Sequence, residues 1–200
     1  MATGPHIIGD IHALVLAAGS GVRFGGGKLL APWRGAPLLH GALAVARGAP
    51  VASVTVVTGA DADPVADCVA AFDPTIRLVH AADHGEGMAA SLRAGVAALP
   101  PDAAGVIVFL GDMPRVPAAT PAALAAALRD GAMAAAPEFK GRRGNPVGLG
   151  RDLFSAVATL TGDQGARRIL DGLGPALQRI EASDDGVLFD VDRPEDLTGA

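Results

Sequence analysis

A chain of 200 residues, half of them hydrophobic, is long enough to bury a sizeable core and suits one domain. Its net charge of −5 argues against binding nucleic acid or a membrane through a basic surface. No apolar run reaches the roughly 18 residues of a membrane span, residues 1–10 lack the order of a secretion signal, and the one cysteine, Cys68, permits no internal disulfide, so a cytoplasmic protein is expected.

Residues 1–10 show no periodicity and are expected to be a frayed lead-in to a domain over 11–200. The apolar run 13–16 predicts a buried strand, and a glycine-rich stretch follows it. Helical spacing of Leu38, Leu39, Ala42, Leu43 and Ala46 predicts a helix over 37–46 that ends before Pro50. A β-branched strand over 51–58 leads through Gly59-Ala60-Asp61 into a helix over 63–72, with Asp61 or Asp63 as cap and Pro64 in the first turn. A strand over 76–80 comes next. His84-Gly85-Glu86-Gly87 makes a second glycine-bearing turn, into an amphipathic helix over 88–99. The strand over 105–110 is the most apolar in the chain and stops on Gly111-Asp112-Met113-Pro114. A helix over 121–128, a strand over 132–136, a polar loop over 140–146 and a short strand over 147–149 follow. Helices over 152–160 and 164–173 precede strands over 177–181 and 187–190. A helical turn over 193–197 closes the chain, with Pro194 at its start and acids near its positive end. This alternation predicts an α/β fold, a Rossmann-like three-layer α/β/α arrangement with a mostly parallel sheet. The late short strands predict a small antiparallel or mixed excursion covering the site.

The stretch after the first strand holds Gly19, Gly21, Gly25, Gly26 and Gly27 together with Arg23 and Lys28. Glycines let backbone N–H groups approach a ligand, and the cations supply the charge a polyphosphate needs, so a nucleotide phosphate site is expected. Lysine is rare here, occurring only as Lys28 and Lys140, which sets Lys28 apart from surface filler. Spacing then separates the glycine-loop families. A Walker loop requires glycine where Val22 stands and Ser or Thr where Leu29 stands. A dinucleotide fingerprint requires a third glycine where Phe24 stands and an acid before Asp61, and neither is present, so the Gly19, Gly21, Gly25 spacing leaves it a minor alternative. Charge is also unevenly spread: no carboxylate lies between Asp10 and Asp61, whereas Glu181, Asp184, Asp185, Asp190, Asp192, Glu195 and Asp196 crowd the end of the chain.

The stretch LAAGSGVRFGGGKLL resembles the LAAGxSxRFGxxKLL loop of the MobA-like nucleotidyltransferases, most closely their molybdenum cofactor cytidylyltransferase branch. Later blocks resemble that branch in the same order. They are the EGMxxSL turn over 86–92, GDMP over 111–114, G-H/N-P-V over 144–147, GDxGAR over 162–167 and DIDTPEDL over 190–197. The chain departs from the pattern at Asn145, where many relatives have His, and at Arg193, where many have Thr. An Asn keeps a hydrogen bond but not a proton-transfer role.

The resemblance implies a nucleotide-diphospho-sugar transferase type of fold. The implied reaction is attack by an acceptor on the α-phosphate of a nucleoside triphosphate, with pyrophosphate leaving. CTP is the implied donor and molybdopterin cofactor the implied acceptor, with an acceptor molybdoenzyme as downstream partner. Such transfer relies on positioning and charge neutralisation rather than a covalent nucleophile. The loop over 18–27 would give N–H groups to the phosphates, with Lys28 and Arg23 offsetting charge on the pyrophosphate, unless Arg23 is a solvated loop cation. Asp112, at the end of a buried strand, would hold Mg2+, which needs only one or two carboxylates. Asp192 or Asp190, alternating along an extended segment, would complete that site; the alternative is a pair of solvated or capping carboxylates. By resemblance, Leu16, Ala17, Ala18, Gly19, Ser20, Gly21, Thr58 and Gly59 approach the nucleotide, with Gly87, Met88 and Ser91 near base or ribose. Ala18 stands where guanylyl-transferring relatives carry glycine, which favours cytidine. Arg143, Asn145 and Pro146 are the candidate acceptor contacts. Trp33 is expected to anchor its loop, and His80 and His84 to be polar loop residues. Two alternatives stay open: transfer to another phosphorylated acceptor, and a protein that holds finished cofactor and hands it on without turnover.

Overall fold

The computed structural model describes residues 10–197, so the expected lead-in lies, apart from Asp10, outside the described residues. In chain order the strands are β1 (Ile11–Ala17), β2 (Pro32–Trp33), β3 (Ala36–Pro37), β4 (Val54–Thr58), β5 (Arg77–His80), β6 (Gly105–Leu110), β7 (Ala134–Phe139), β8 (Arg142–Arg143), β9 (Val147–Gly150) and β10 (Gln178–Glu181). The α-helices are α1 (Leu38–Gly48), α2 (Ala62–Phe72), α3 (Met88–Ala97), α4 (Ala119–Arg129), α5 (Phe154–Ala158) and α6 (Arg167–Leu173).

The main sheet runs β10-β7-β9-β6-β1-β4-β5, with β8 paired to β7. β1 lies parallel to both β4 and β6, and β4 parallel to β5. β9 is antiparallel to both β6 and β7, so the two reversals return β7 and its parallel neighbour β10 to the direction of β1. The C-terminal ends of β1, β4, β5, β6, β7 and β10 therefore open on one edge, where the start of β9 also lies. From β1 the chain steps out to β4 and β5 on one side and then returns to β6 on the other. The gap between the ends of β1 and β6 is thus the switch point, where open α/β sheets bind ligands.

Side chains alternate across β1, and each half finds its own helical layer. Ile11, Ala13, Val15 and Ala17 join Ile107, Phe109 and the apolar stripes of α1, α2 and α4. Leu14 and Leu16 join Val106, Val108, Leu92, Val157 and Leu170 on the other face, under α3, α5 and α6. The result is the expected three-layer α/β fold with a mostly parallel sheet.

Antiparallel pairing is present among the later strands, as expected: β9 runs antiparallel to β6 and β7 within the main sheet, and β8 pairs antiparallel to β7. The structure corrects other expectations. A separate antiparallel pair is formed earlier, by β2 and β3. The helix expected over 152–160 opens as a 3-10 turn, Arg151–Leu153, and the one expected over 164–173 begins only at Arg167. Gly165, at φ 51, is incompatible with a right-handed helix there. No strand forms over 187–190: Asp185–Leu188 is a 3-10 turn, opened by Asp184 Oδ1 accepting from the Gly186 N–H at 2.8 Å. Val187 is buried by packing its backbone onto Gly144, which has no Cβ to prevent it, rather than by pairing in the sheet. Asp61 occupies the N-cap position of α2 but makes no side-chain capping bond.

Candidate active site

The loop leaving β1 folds into two 3-10 turns, Val22–Phe24 and Lys28–Leu30. Gly21 is its pivot. At φ 58 it turns the chain so that its carbonyl accepts N–H groups from Phe24 at 2.9 Å and from Gly25 and Gly26 at 3.1 Å each. The far half of the loop thereby satisfies its own donors, and Ala18 to Gly21 is the part that lines the adjacent cavity. Of the stretch 18–27 expected to face phosphates, Ala18 to Gly21 lines this cavity.

That cavity, about 430 Å³, is walled by Leu16, Ala17, Ala18, Gly19, Ser20, Gly21 and Lys28 on one side and by Gly87, Met88, Ser91 and Asp112 on others. His84, Gly85, Leu29, Leu110 and Asp163 complete it. Thr58 and Gly59 are absent from this wall. Thr58 is buried, with Oγ1 3.5 Å from His80 Nδ1. Gly59 stands behind the wall, where a Cβ would meet the Ala18 carbonyl at 2.6 Å and His84 Cβ at 2.8 Å. Its close neighbours Ala18 and His84 are themselves part of the wall.

Lys28 Nζ lies 2.6 Å from Asp112 Oδ2 and 3.9 Å from Asp192 Oδ1. The Lys28 and Asp112 side chains are largely shielded, and the pair sits at the switch point between β1 and β6. Arg23 does not line the cavity; it binds Asp192 Oδ2 at 2.8 Å, with its side chain 78% exposed. The two loop cations thus rest on the acids that sequence reading assigns to a metal.

Asp190 faces the same cluster. Burial pushes its carboxyl above the usual range, and the charges of Asp112 and Asp192 push it further. Among the described residues, no three His, Cys, Asp or Glu side chains stand close enough to hold a metal together. Asp112 with Asp192 fits a small hard cation only in the form Mg2+ accepts, with water and phosphate oxygens filling the remaining positions. The segment carrying Asp190 and Asp192 is pinned in place. The Val191 N–H donates to the Asp112 carbonyl at 3.1 Å, and Val191 is buried against Trp33 and Leu38, with Phe24, Phe189 and Leu197 around them. Trp33 is an anchor, as expected, its ring centroid 5.8 Å from that of Phe189.

A second cavity of about 450 Å³ adjoins the first and shares Leu16, Met88, Leu110 and Asp163 with it. Arg143, Asn145 and Asp190 line it together with Gln164 and Arg167, over a floor of Leu92, Val108, Val147 and Leu170. Arg143 is held by Asp171 at 2.7 Å. Pro146, joined to Asn145 by a cis peptide bond, is buried and does not reach the cavity. Arg142 is exposed and outside it.

Sequence reading missed His84, Asp163, Gln164 and Arg167 as lining residues. Three of them belong to the Gly162-Asp163-Gln164-Gly165-Ala166-Arg167 block, whose chemistry was visible but whose position beside the Gly87 turn was not.

The family model of the MobA-like NTP transferase domain matches residues 13–180. A nicotine blue oxidoreductase from Paenarthrobacter nicotinovorans is 33% identical over 196 residues, covering 94% of each protein. The crystal structure of an Rv0371c homologue from Mycobacterium sp. strain JC1 superposes with a TM-score of 0.84 at 34% identity, over 94% of this chain and 93% of that one. Rv0371c of Mycobacterium tuberculosis in complex with manganese gives a TM-score of 0.74 at 27% identity, over 86% and 88% of the two chains.

Proposed function

The chain belongs to the MobA-like NTP transferase family, and from that premise we propose that it transfers cytidine monophosphate from CTP to a molybdopterin-type cofactor, releasing pyrophosphate. The observation that carries this reading is the pair of adjoining cavities at the switch point, with the Lys28–Asp112 ion pair beside the glycine loop. One cavity suits a triphosphate and the other an acceptor. Residues 11–200 act as one unit in this reading.

The acceptor's phosphate oxygen attacks the α-phosphorus, the bond from that phosphorus to the β-phosphate bridging oxygen breaks, and pyrophosphate leaves. Backbone N–H groups between Ala18 and Gly21 face the phosphates. Lys28 turns its ammonium from Asp112 to the β- and γ-phosphate oxygens, where leaving-group charge accumulates. Arg23 is released from Asp192 in the same exchange. A divalent cation held by Asp112 and Asp192 would neutralise charge on the same phosphates, and a relative 27% identical has been solved with manganese. Ala18, which lines the cavity where guanylyl-transferring relatives carry glycine, supports a cytidine base there. In the second cavity, Asn145 and Gln164 offer hydrogen bonds to the edge of a flat ring lying on the apolar floor, and Arg143 or Arg167 receives the acceptor's phosphate.

The test is pyrophosphate release with Mg2+, each of the four ribonucleoside triphosphates, and molybdenum-loaded molybdopterin. Release that depends on both CTP and acceptor is expected, and release with GTP alone would overturn the cytidine assignment. Because one relative is named an oxidoreductase, a parallel arm follows NAD(P)H oxidation with a reducible dye. Activity there without pyrophosphate release would replace the transfer reading with a redox one.

A further inference from the structure

Two acids line the first cavity, and they differ in their surroundings. Asp112 is neutralised by Lys28 at 2.6 Å, whereas the Asp163 carboxylate has no hydrogen-bonding or ionic partner among the described residues. A bare carboxylate repels phosphate. In a cavity that receives a polyanion, it is useful where it meets a cation, as Asp112 does, or where the ligand presents uncharged O–H or N–H donors.

Asp163 is also held in place. The carboxylate rests against the Cα of Gly87, where any Cβ would collide with it and would lie 2.7 Å from the Gly162 carbonyl oxygen. Gly87 adopts φ 110 and ψ −178, a conformation reserved for glycine. The Ala89 N–H donates to the Gly162 carbonyl at 3.0 Å, and Gly165 packs directly under the Met88 sulfur. Arg93 ties the same two segments from outside, donating to the Leu160 carbonyl at 2.6 Å and to the Asp83 and Glu86 carboxylates. Asp163 lines both cavities, and its carboxylate lies against Gly87, which belongs to the wall of the first alone, so it is within reach of a ligand on the nucleotide side. Between the base end at Ala18 and the phosphate end at Lys28, the part of a nucleotide that carries uncharged donors is the sugar.

We propose that Asp163 reads the ribose of the bound nucleotide, its carboxylate accepting hydrogen bonds from the vicinal 2′- and 3′-hydroxyls. The proposal rests on the nucleotidyltransferase reading and adds to it the residue that selects ribonucleotides over deoxyribonucleotides. Hydrogen bonds to a charged acceptor are worth enough to give about a 10- to 100-fold preference for the diol.

The experiment measures equilibrium binding of ribo-, 2′-deoxyribo- and 2′,3′-dideoxyribonucleoside triphosphates of all four bases, with Mg2+ and with inorganic pyrophosphate as control. The parent protein is compared with Asp163→Ala and Asp163→Asn. Asp163 is exposed and unbonded, so both variants are expected to keep the parent melting temperature. The parent should prefer ribo over dideoxy by about 10- to 100-fold, Asp163→Ala should bring that ratio to about one, and Asp163→Asn should keep part of it. Pyrophosphate affinity should be unchanged or slightly higher in both variants. An intact preference in Asp163→Ala, or a variant effect confined to the acceptor's KM, would overturn this proposal while leaving the nucleotidyltransferase reading in place. A parent protein that binds none of the triphosphates would overturn both.

Discussion

At the scale of single residues, the site is poised by ion pairs that a substrate must exchange. Lys28 neutralises Asp112 and stands near Asp192, with Asp190 held uncharged more readily than a free carboxylate. Replacing Lys28 with Met is expected to lower turnover by about 100- to 1000-fold, as loss of a transition-state charge partner does, with nucleotide affinity also reduced. It also leaves Asp112 and Asp190 without that cation, with Asp192 still held by Arg23. Mn2+ or Mg2+ should therefore raise the melting temperature of Lys28→Met more than that of the parent, and by less in the double variant with Asp112→Asn. Equal metal responses in all three proteins would show that the acids do not converge on a cation. Lys28 and Asp112 were legible in the sequence because one is a rare residue in a glycine loop and the other ends the most apolar strand. Asp163 was not, because nothing local to 162–167 says that the loop packs against Gly87 some 75 positions earlier.

Among the elements, α3 connects the core to the site, carrying Met88 and Ser91 at its start and packing on the sheet through Gly95. A Cβ there would meet Leu14 Cδ1 at 2.8 Å and Val57 Cγ2 at 2.9 Å, so the helix lies as close to β1 and β4 as the absence of a side chain permits. Gly95→Val should cost about 1–3 kcal/mol through overpacking, lowering the thermal midpoint by several degrees. It should also weaken nucleotide binding, since the N-terminus of α3 shifts with the helix. A stable Gly95→Val protein with parent affinity would contradict that coupling. The parallel strands were legible because β-branched and apolar runs have few other uses. The β2–β3 hairpin was hidden because its turn, Arg34-Gly35, has positive φ at both positions, 49 and 84, without the Asn-Gly or Asp-Gly pair that announces such turns. The last helix was overestimated because periodicity continues through Gly165, whose left-handed conformation excludes it from the helix.

For the whole molecule, the uneven charge of the chain is resolved by folding. The acid-free front and the acidic end meet at the cavity, where Arg23 and Lys28 reach Asp192 across more than 160 positions. Stability over pH has a separate source, in the centre of the sheet. His12 is buried in β1 with Nδ1 2.8 Å from Ser53 Oγ, and burial lowers its pKa below the usual 6.5, aided slightly by Arg77 and opposed by Asp10 and Asp102. The unfolded chain then binds a proton more readily than the folded one, so stability falls as pH drops through 6.5 toward the lower folded value. Melting curves from pH 7.5 to about 5 should slope more steeply for the parent than for His12→Asn, and parallel curves would exclude this contribution. No described helix is long and apolar enough to cross a membrane.

The central claim, that the glycine-loop cavity donates a nucleotidyl group to an acceptor in the second cavity, is tested most directly by following the α-phosphate. With CTP labelled at that position, Mg2+ and molybdenum-loaded molybdopterin, the label should appear covalently in the pterin product while unlabelled pyrophosphate is released. Label that remains in CTP, or passes only to free CMP, would contradict the account.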